Sequence, residues 1–366
     1  MSEWDYRTDL LVVGSGGGLA GALTAVQDGL DALVVEKEEL IGGSTAMSGG
    51  VVWLPNNPLM VEDGVTDSLE QGLEYFESVV GPPTAASSLA RRRAYITEGS
   101  ALVDMLRRLG VDFIRCEGYS DYYAGVRGYH GGIARGRAVE CRYFDAHQLG
   151  PLEDKLRGAF TGGVVVYTHE SAPAQLVLRT PEGAKTFARI VRRTMGGILK
   201  GEARLTNGAA LIASLLKLLI ERSVPVWTAT RLVELVVEDG EVRGAVLERA
   251  GKPVRVLTRG GVLLNAGGFS HNKEMRERFS GDQPNHAQWS VANPGDTGEV
   301  IELAMKLGAS VDLMDEAWWI PTTTRPNGGV VFVHGERCKP GSIIVDASGR
   351  RYFNEACSYL EAGQKM

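Results

Sequence analysis

Cysteine is scarce in this chain. Cys116, Cys141, Cys338 and Cys357 are the four among 366 residues, widely spaced and with no CxxC pair. That argues against a disulfide framework or a clustered zinc site and fits reduced thiols in a cytoplasmic protein with no bound metal. Long apolar runs are missing too. The best, residues 209–220, falls short of the ~18 residues that a membrane span needs and carries Lys217. It reads as a buried or amphipathic helix, so the chain is expected to be soluble, with peripheral membrane contact only through an apolar substrate. An excess of positive charge is lacking: 39 Lys and Arg against 45 Asp and Glu give a net charge of −6. This argues against a nucleic-acid partner. The basic runs Arg91-Arg92-Arg93 and Arg192-Arg193 are read as solvated helix faces. The six histidines are scattered. His169 and His334 lie in unremarkable contexts, and no His–Arg grouping is present to grip a dicarboxylate. The polar residues 1–7 run straight into a strand, so no secretory leader is expected. Internal repeats and low-complexity linkers are absent.

Glycine is plentiful, with 47 residues that fall in clusters. An apolar strand at 9–13 ends in Gly14-Ser15-Gly16-Gly17-Gly18 and opens a helix. A glycine turn there lets backbone N–H groups approach a pyrophosphate at the positive helix end. A second apolar strand ends in Glu36-Lys37, where an acidic side chain is placed to accept from a ribose hydroxyl. Pyrophosphate plus ribose describes an ADP moiety. The sixth position counted from Gly14 is Leu19 instead of glycine, so Gly17, Gly18 or Gly21 is expected to take over the close helix–strand contact. The further run Gly42-Gly43-Ser44-Thr45-Ala46-Met47-Ser48-Gly49-Gly50 points to a longer cofactor, as FAD is.

At 366 residues the chain is long for one core, so two domains are expected. A helical, mixed-charge region runs to about residue 109 and is broken at Pro82-Pro83. Residues 111–150 are loop-rich and aromatic. A helical pattern resumes over 182–220. Apolar runs at 232–237 and 242–247, joined by Glu238-Asp239-Gly240-Glu241, signal a β-hairpin. Another strand runs into Asn265-Ala266-Gly267-Gly268, and Asn293-Pro294-Gly295-Asp296-Thr297-Gly298 opens a helix. Strands alternating with helices make the fold α/β.

The ordered segments GSGGG (14–18), VVEK (34–37), GGSTAMSGGVVWLPNN (42–57), LLNAGGF (263–269), NPGDTGE (293–299) and RRYFNEACSYLEAG (350–363) together resemble the 3-ketosteroid Δ1-dehydrogenases. These are FAD flavoproteins of the fumarate reductase/succinate dehydrogenase-like group, and the similarity extends over nearly the whole chain. It implies a Rossmann-like FAD-binding domain over 1–317, with a central parallel sheet, an added β-hairpin or meander and a helical, aromatic insertion at about 61–205. Residues 318–366 would then begin a smaller α+β substrate domain.

Carried over position by position, the resemblance sets Gly14, Ser15 and Gly16, with Gly17 and Gly18, at the pyrophosphate. Glu36, with Lys37 beside it, would meet the adenosine ribose. Gly43, Ser44, Thr45, Ala46, Ser48, Gly49 and Gly50 would line the ribityl chain and flavin. Val233 would meet adenine through its backbone, Ala266 and Gly267 would pack on the dinucleotide, and Asp296 with Gly298 would serve the ribityl–phosphate region. For Asp296 a helix N-cap fits the local sequence equally well.

Introducing a double bond beside a ketone needs a base for the α-proton, a hydride acceptor (flavin N5) and donors for the developing enolate. The resemblance implies Tyr359 as the base that takes the C2 proton and Tyr122 as the tyrosine that supports it, with Tyr119 and Tyr123 as nearby alternatives. A free phenol has a pKa near 10 and needs donors or positive potential to act at neutral pH. Trp318, Trp319 and Phe332 would line a steroid pocket or simply form core. In this family a further C-terminal segment supplies a tyrosine and a glycine N–H for the ketone oxygen. These residues alone are therefore expected to lack that oxyanion site and to be poorly active. The partners implied are a steroid and an external electron acceptor. The competing expectations are a flavin-dependent enoate or fumarate-type reductase, a steroid Δ4-dehydrogenase, and a non-catalytic FAD-binding subunit.

Overall fold

The structure is a computed structural model that describes residues 4–158, 162–281, 286–333, 335, 337–339 and 341–366. His334 lies outside them. The chain begins with strand β1 (Tyr6–Val13), helix α1 (Gly18–Gln27), strand β2 (Ala32–Val35) and the short helix α2 (Gly43–Met47). Far along the sequence come α8 (Asn207–Glu221), β8 (Val226–Trp227), β9 (Thr230–Glu238), β10 (Glu241–Arg249) and β11 (Lys252–Leu264), all joining the same body. One six-stranded sheet runs in the order β8-β2-β1-β11-β10-β9. Its first four strands are parallel, and β11, β10 and β9 form an antiparallel meander. The expected α/β class with a central parallel sheet and an added hairpin is what the chain forms.

Strand alternation explains both faces of that sheet. Leu11, Val13, Leu33 and Val35 point to one side and pack with Leu235, Leu247 and Val256. Val12 and Val34 point to the other, against Leu19 and Leu23 of α1 and Ile212 and Leu216 of α8. The 209–220 run is the buried face of α8, with eight residues at 5 % exposure or less: Ala209, Ala210, Ile212, Ala213, Leu215, Leu216, Leu218 and Leu219. The β9–β10 turn is tighter than the sequence pattern indicated. Only Asp239 (φ +54°) and Gly240 (φ +80°) lie between the strands, the double positive φ of a type I′ turn.

Between α2 and α8 a long segment is inserted, whose buried Leu54, Val103 and Val139 join the core of α1 and α8. It begins with β3 (Val52–Trp53), α3 (Pro58–Glu62), α4 (Leu69–Val80) and α5 (Leu89–Arg108), followed by β4 (Phe113–Arg115) and β5 (Ala138–Cys141). Strands β3, β5 and β4 make a small antiparallel sheet. The strand β6 (Phe144–Asp145) pairs with β7 (Arg204–Leu205), and α6 (Ser171–Ala174) and α7 (Pro181–Lys200) lie between them. The helical pattern at 182–220 is thus two helices, separated where Gly201 takes φ +67° and the chain turns into β7. The basic runs are only partly solvated. Arg92 is buried on the Ser87 and Pro82 carbonyls, and Arg193 pairs with Glu170 and stacks 4.0 Å over Tyr167.

Fully buried Arg137 organises this insertion. Its guanidinium donates to Asp67 (2.8 Å to each oxygen), Asp121 (2.6 Å) and the Gly131 carbonyl (2.7 Å). Asp121 in turn accepts from the Trp53 indole (2.8 Å) and the Ile133 N–H (2.9 Å). Beyond β11 the chain forms α9 (Lys273–Phe279), α10 (Glu299–Lys306), the hairpin β12 (Thr322–Thr324) with β13 (Val330–Phe332), and α11 (Tyr359–Lys365).

Candidate functional site

The C-terminal ends of β1, β2 and β11 open onto a cleft holding about 710 Å³ of free space. This is where ligands bind in open parallel sheets. Gly14 turns the chain out of β1 with φ +105°, and a Cβ there would stand 2.0 Å from the Asn265 carbonyl oxygen at the end of β11. Only glycine lets the two strand ends approach so closely. Helix α1 then starts at Gly17 with no side chain capping it, which leaves its N-terminal N–H groups for a ligand. The tight helix–strand contacts fall to Gly18, whose Cβ would stand 2.7 Å from Val12, and Gly21, 2.4 Å from Leu263. Those two replace the glycine missing at position 19.

Glu36 is buried at the end of β2. Its Oε2 accepts from the Ser15 hydroxyl (2.6 Å) and N–H (3.1 Å), and Oε1 accepts from the Glu38 N–H (3.0 Å). Three donors leave such a carboxylate with acceptor capacity to spare, on a side chain that faces the cleft. The Ser15 hydroxyl also accepts from the Gly42 N–H at 2.8 Å, joining the first glycine turn to the second. Lys37 donates to Thr297 (2.7 Å) and Glu299 (2.5 Å), where it pulls the Glu299 carboxyl below its ordinary pKa.

Across the cleft, Ser44 donates to Asp296 (2.6 Å) and accepts from the Asn293 N–H (2.8 Å). Burial pushes the Asp296 carboxyl above its ordinary value, with the Ser44 hydroxyl and Lys37 pulling the other way. The N-cap of α10 is Gly298, so Asp296 does not serve as a helix cap. Asp296 Oδ1 lies 2.3 Å from where a Cβ on Gly267 (φ +74°) would stand.

Gly14, Ser15, Gly16, Gly17, Glu36, Lys37, Gly43, Ser44, Thr45, Ala266, Gly267 and Asp296 all line this one cleft. The other expected cofactor residues sit behind or beside it. Gly18 packs on β1, and Ala46 is buried in the core. Ser48 bridges the Thr45 carbonyl and the Gly50 N–H. Gly49 abuts Thr168, Gly50 abuts the Asn207–Gly208 backbone, and Gly298 abuts Met275 and Phe269. Val233 is exposed on β9, next to the lining residues Thr230, Arg231 and Leu232.

Sequence reasoning missed Arg231, Asn265, Asn293, Glu299 and Val300 as lining residues. Of these, Asn265, Asn293 and Glu299 lie within the glycine-rich segments and carry a polar side chain, the only signal that could have flagged them. Asn293 Oδ1 is buried without a partner while its Nδ2 donates to Glu38 (2.6 Å). An orphaned acceptor, an uncapped helix start and a carboxylate with free lone pairs fit the phosphates and hydroxyls of a dinucleotide such as FAD.

A second constellation is aromatic. Tyr359 opens α11, and its ring meets Tyr122 edge-on at 5.4 Å between centroids. The Tyr122 hydroxyl lies 3.4 Å from that of Tyr119. Burial, reinforced by the neighbouring phenols, pushes Tyr122 far above its ordinary value, and burial raises Tyr119 as well. The Trp318 indole N–H donates to the Tyr359 hydroxyl. Tyr123 turns away, stacking on Tyr129 at 4.4 Å and meeting Ser358 at 2.9 Å. Trp318 and Phe332 are exposed and Trp319 is partly buried, so none of the three belongs to the buried core. A link to the cleft runs through β3: Trp53 follows the Gly49-Gly50 loop and is held by Asp121, the neighbour of Tyr122. Cys116, Glu140 and His169 bring donor atoms within 4.8 Å of one another. Their mutual hydrogen bonds, with Glu140 accepting from Cys116 (3.3 Å) and pairing with His169 (2.6 Å), account for that grouping.

A family model described as an FAD binding domain matches residues 9–366. The chain is 38 % identical over 368 residues to a 3-oxosteroid 1-dehydrogenase of Mycolicibacterium smegmatis, covering 98 % of this chain and 63 % of that protein. It is 30 % identical to the 4-oxocyclohex-2-ene-1-carboxylate 5-dehydrogenase of Sinomonas cyclohexanicum, covering 98 % and 62 %. Among solved structures, the 3-ketosteroid Δ1-dehydrogenase of Sterolibacterium denitrificans in complex with 1,4-androstadiene-3,17-dione matches with a TM-score of 0.88. Sequence identity is 34 %, covering 97 % of this chain and 65 % of that one. The chain thus spans a little under two thirds of these relatives' length.

Proposed function

Because the chain belongs to the FAD-binding domain family, we propose that it is an FAD-dependent dehydrogenase that desaturates the C1–C2 bond of 3-ketosteroids. The observation that carries this reading is the contact between Tyr359 and Tyr122, far apart in sequence and joined by an edge-on ring contact at 5.4 Å between centroids. The steroid dehydrogenases among the relatives support the same substrate class. FAD, when bound, supplies the hydride acceptor for the hydrogen leaving C1. Residues 1–317 hold it, with Ser15, Gly16 and the start of α1 at the pyrophosphate, Glu36 at the ribose, and Ser44, Thr45 and Asp296 along the ribityl side. Residues 318–366 begin the substrate domain.

Tyr359, ionised, takes the C2 proton and becomes a neutral phenol, and the Tyr122 hydroxyl donates to the Tyr359 oxygen while it carries charge. Tyr122, with its pKa raised, keeps the proton that this donation needs. Electrons leave to an external acceptor. The Sinomonas relative favours a second reading, the same desaturation on a smaller ring ketone.

The test is anaerobic addition of ligands to the purified flavoprotein. Bleaching of the flavin band by a 3-ketosteroid is the expected result. Bleaching by an oxocyclohexane carboxylate alone replaces the steroid with the smaller ketone. Reoxidation of chemically reduced flavin by fumarate-like acids, with no response to ketones, overturns both in favour of a reductase. Tight flavin with no response at all leaves a binding module.

A further inference from the structure

Tyr359 is met from two sides. Tyr122, on the 119–123 segment, lies against one edge of its ring at 5.4 Å between centroids. Trp318, which precedes β12, lies 6.3 Å away centroid to centroid and directs its indole N–H at the Tyr359 oxygen. An indole N–H can donate and never accept, so in that contact the phenol oxygen must be the acceptor. Burial raises both neighbouring phenols, Tyr119 and Tyr122, so both keep their protons, and either hydroxyl of that pair can donate to the other.

Resting on the reading that Tyr359 is the base, we propose that Trp318 is a positioning residue whose indole N–H holds the Tyr359 oxygen as an acceptor beside the Tyr119–Tyr122 hydroxyl pair. A donor aimed at a phenol oxygen favours the ionised form, because the bond strengthens when the acceptor carries charge. It also fixes the ring. Cys116 and Glu140 lie behind Tyr119, while Glu361, Cys357 and Lys365, on or beside α11, act on Tyr123.

The experiment is a pH titration of the whole protein carrying ring-labelled tyrosine, read by carbon NMR at the phenol carbon, with Tyr359→Phe assigning the signal. Trp318→Phe keeps an aromatic ring and loses the N–H. The Tyr359 midpoint is expected to move up by about one pH unit, the size of one hydrogen bond to a charged group. A benzothienylalanine at 318, which keeps the indole shape without the N–H, must give the same shift. An unchanged midpoint in either protein overturns the proposal. A shift with Trp318→Phe alone also overturns it, since packing would then be the cause. No steroid enters this titration, so the donor can stand or fall separately from the ketosteroid reading.

Discussion

At the scale of single residues, the cleft depends on places where a Cβ does not fit. Gly267 is one: φ is +74°, and a methyl group would press on Asp296 at 2.3 Å. Holding an alanine in left-handed backbone costs roughly 1–2 kcal/mol before any clash. Gly267→Ala is therefore expected to weaken FAD binding at least about tenfold, the equivalent of ~1.4 kcal/mol, measured by flavin fluorescence quenching. An unchanged dissociation constant would detach Asp296 and Gly267 from the cofactor. The four thiols make a second residue-scale case. Cys116 and Cys141 are buried, and burial pushes both thiols up, while Cys338 is exposed. In the folded protein a maleimide is expected to label Cys338 first and to reach Cys116 and Cys141 only on unfolding. Peptide mass spectrometry reads the order, and early labelling of Cys116 would contradict it.

At the scale of elements, two ionic knots hold segments that no regular secondary structure fixes. Arg137, with no exposure, ties α4's approach, the Tyr122 loop and β3 together through Asp67, Asp121 and Trp53. Removing one partner of a buried pair strands the others, at about 3–5 kcal/mol. Arg137→Met is expected to lower stability by that amount in urea unfolding and to loosen Tyr122. A loss under ~1 kcal/mol, the value of an exposed pair, would show the knot to be superficial.

Ahead of α11, the Glu355 carboxylate accepts from the Ile344 N–H (2.8 Å) and from Arg351 (2.5 Å). The Arg351 hydrogen bond, then the Ile344 N–H, pulls its pKa down to about 2. A depressed carboxyl contributes stability that is complete above its unfolded value, 4.5, and is lost as pH falls through about 2. Hydrogen exchange at Ile344 is expected to speed up across that window in the native protein and to be fast at all pH values in Glu355→Gln. Equal protection in both would remove the knot.

These elements also show what the sequence made legible. Glycine turns after strands, Glu36 at the end of β2 and the Asp239-Gly240 hairpin are local signals, set by spacing and backbone chemistry alone. Asp296 was ambiguous because its neighbours fit a cap as well as a ligand site. Only the packing against Gly267 and Ser44 separates the two. Arg137 and Asn293 were not flagged, and Trp318 was read only as pocket lining or core, since each acquires its part from residues distant in the chain.

At the scale of the whole molecule, one sheet presents a cleft at its strand ends, and the insertion carries Tyr119 and Tyr122, tied through Asp121 and Trp53 of β3 to the Gly49-Gly50 loop. Among the described residues no helix is long and apolar enough to cross a membrane. Trp318, beside Tyr359, is exposed. Binding FAD to the folded state alone should stabilise the sheet body by mass action, about 2.7 kcal/mol at a hundredfold excess over the dissociation constant. An upward shift in thermal midpoint with FAD, absent with riboflavin, is expected on the proposal that Glu36 and the first glycine turn take the adenine half. Equal shifts would place the affinity in the flavin half.

The most direct test of the central claim is the single-turnover rate of flavin bleaching by a 3-ketosteroid, compared between the parent protein and Tyr359→Phe with equal flavin content. A positioned base is worth roughly a hundredfold or more, so the variant should bind flavin and steroid but bleach at least about a hundred times more slowly. Equal rates in the two proteins would contradict the assignment of Tyr359 as the base.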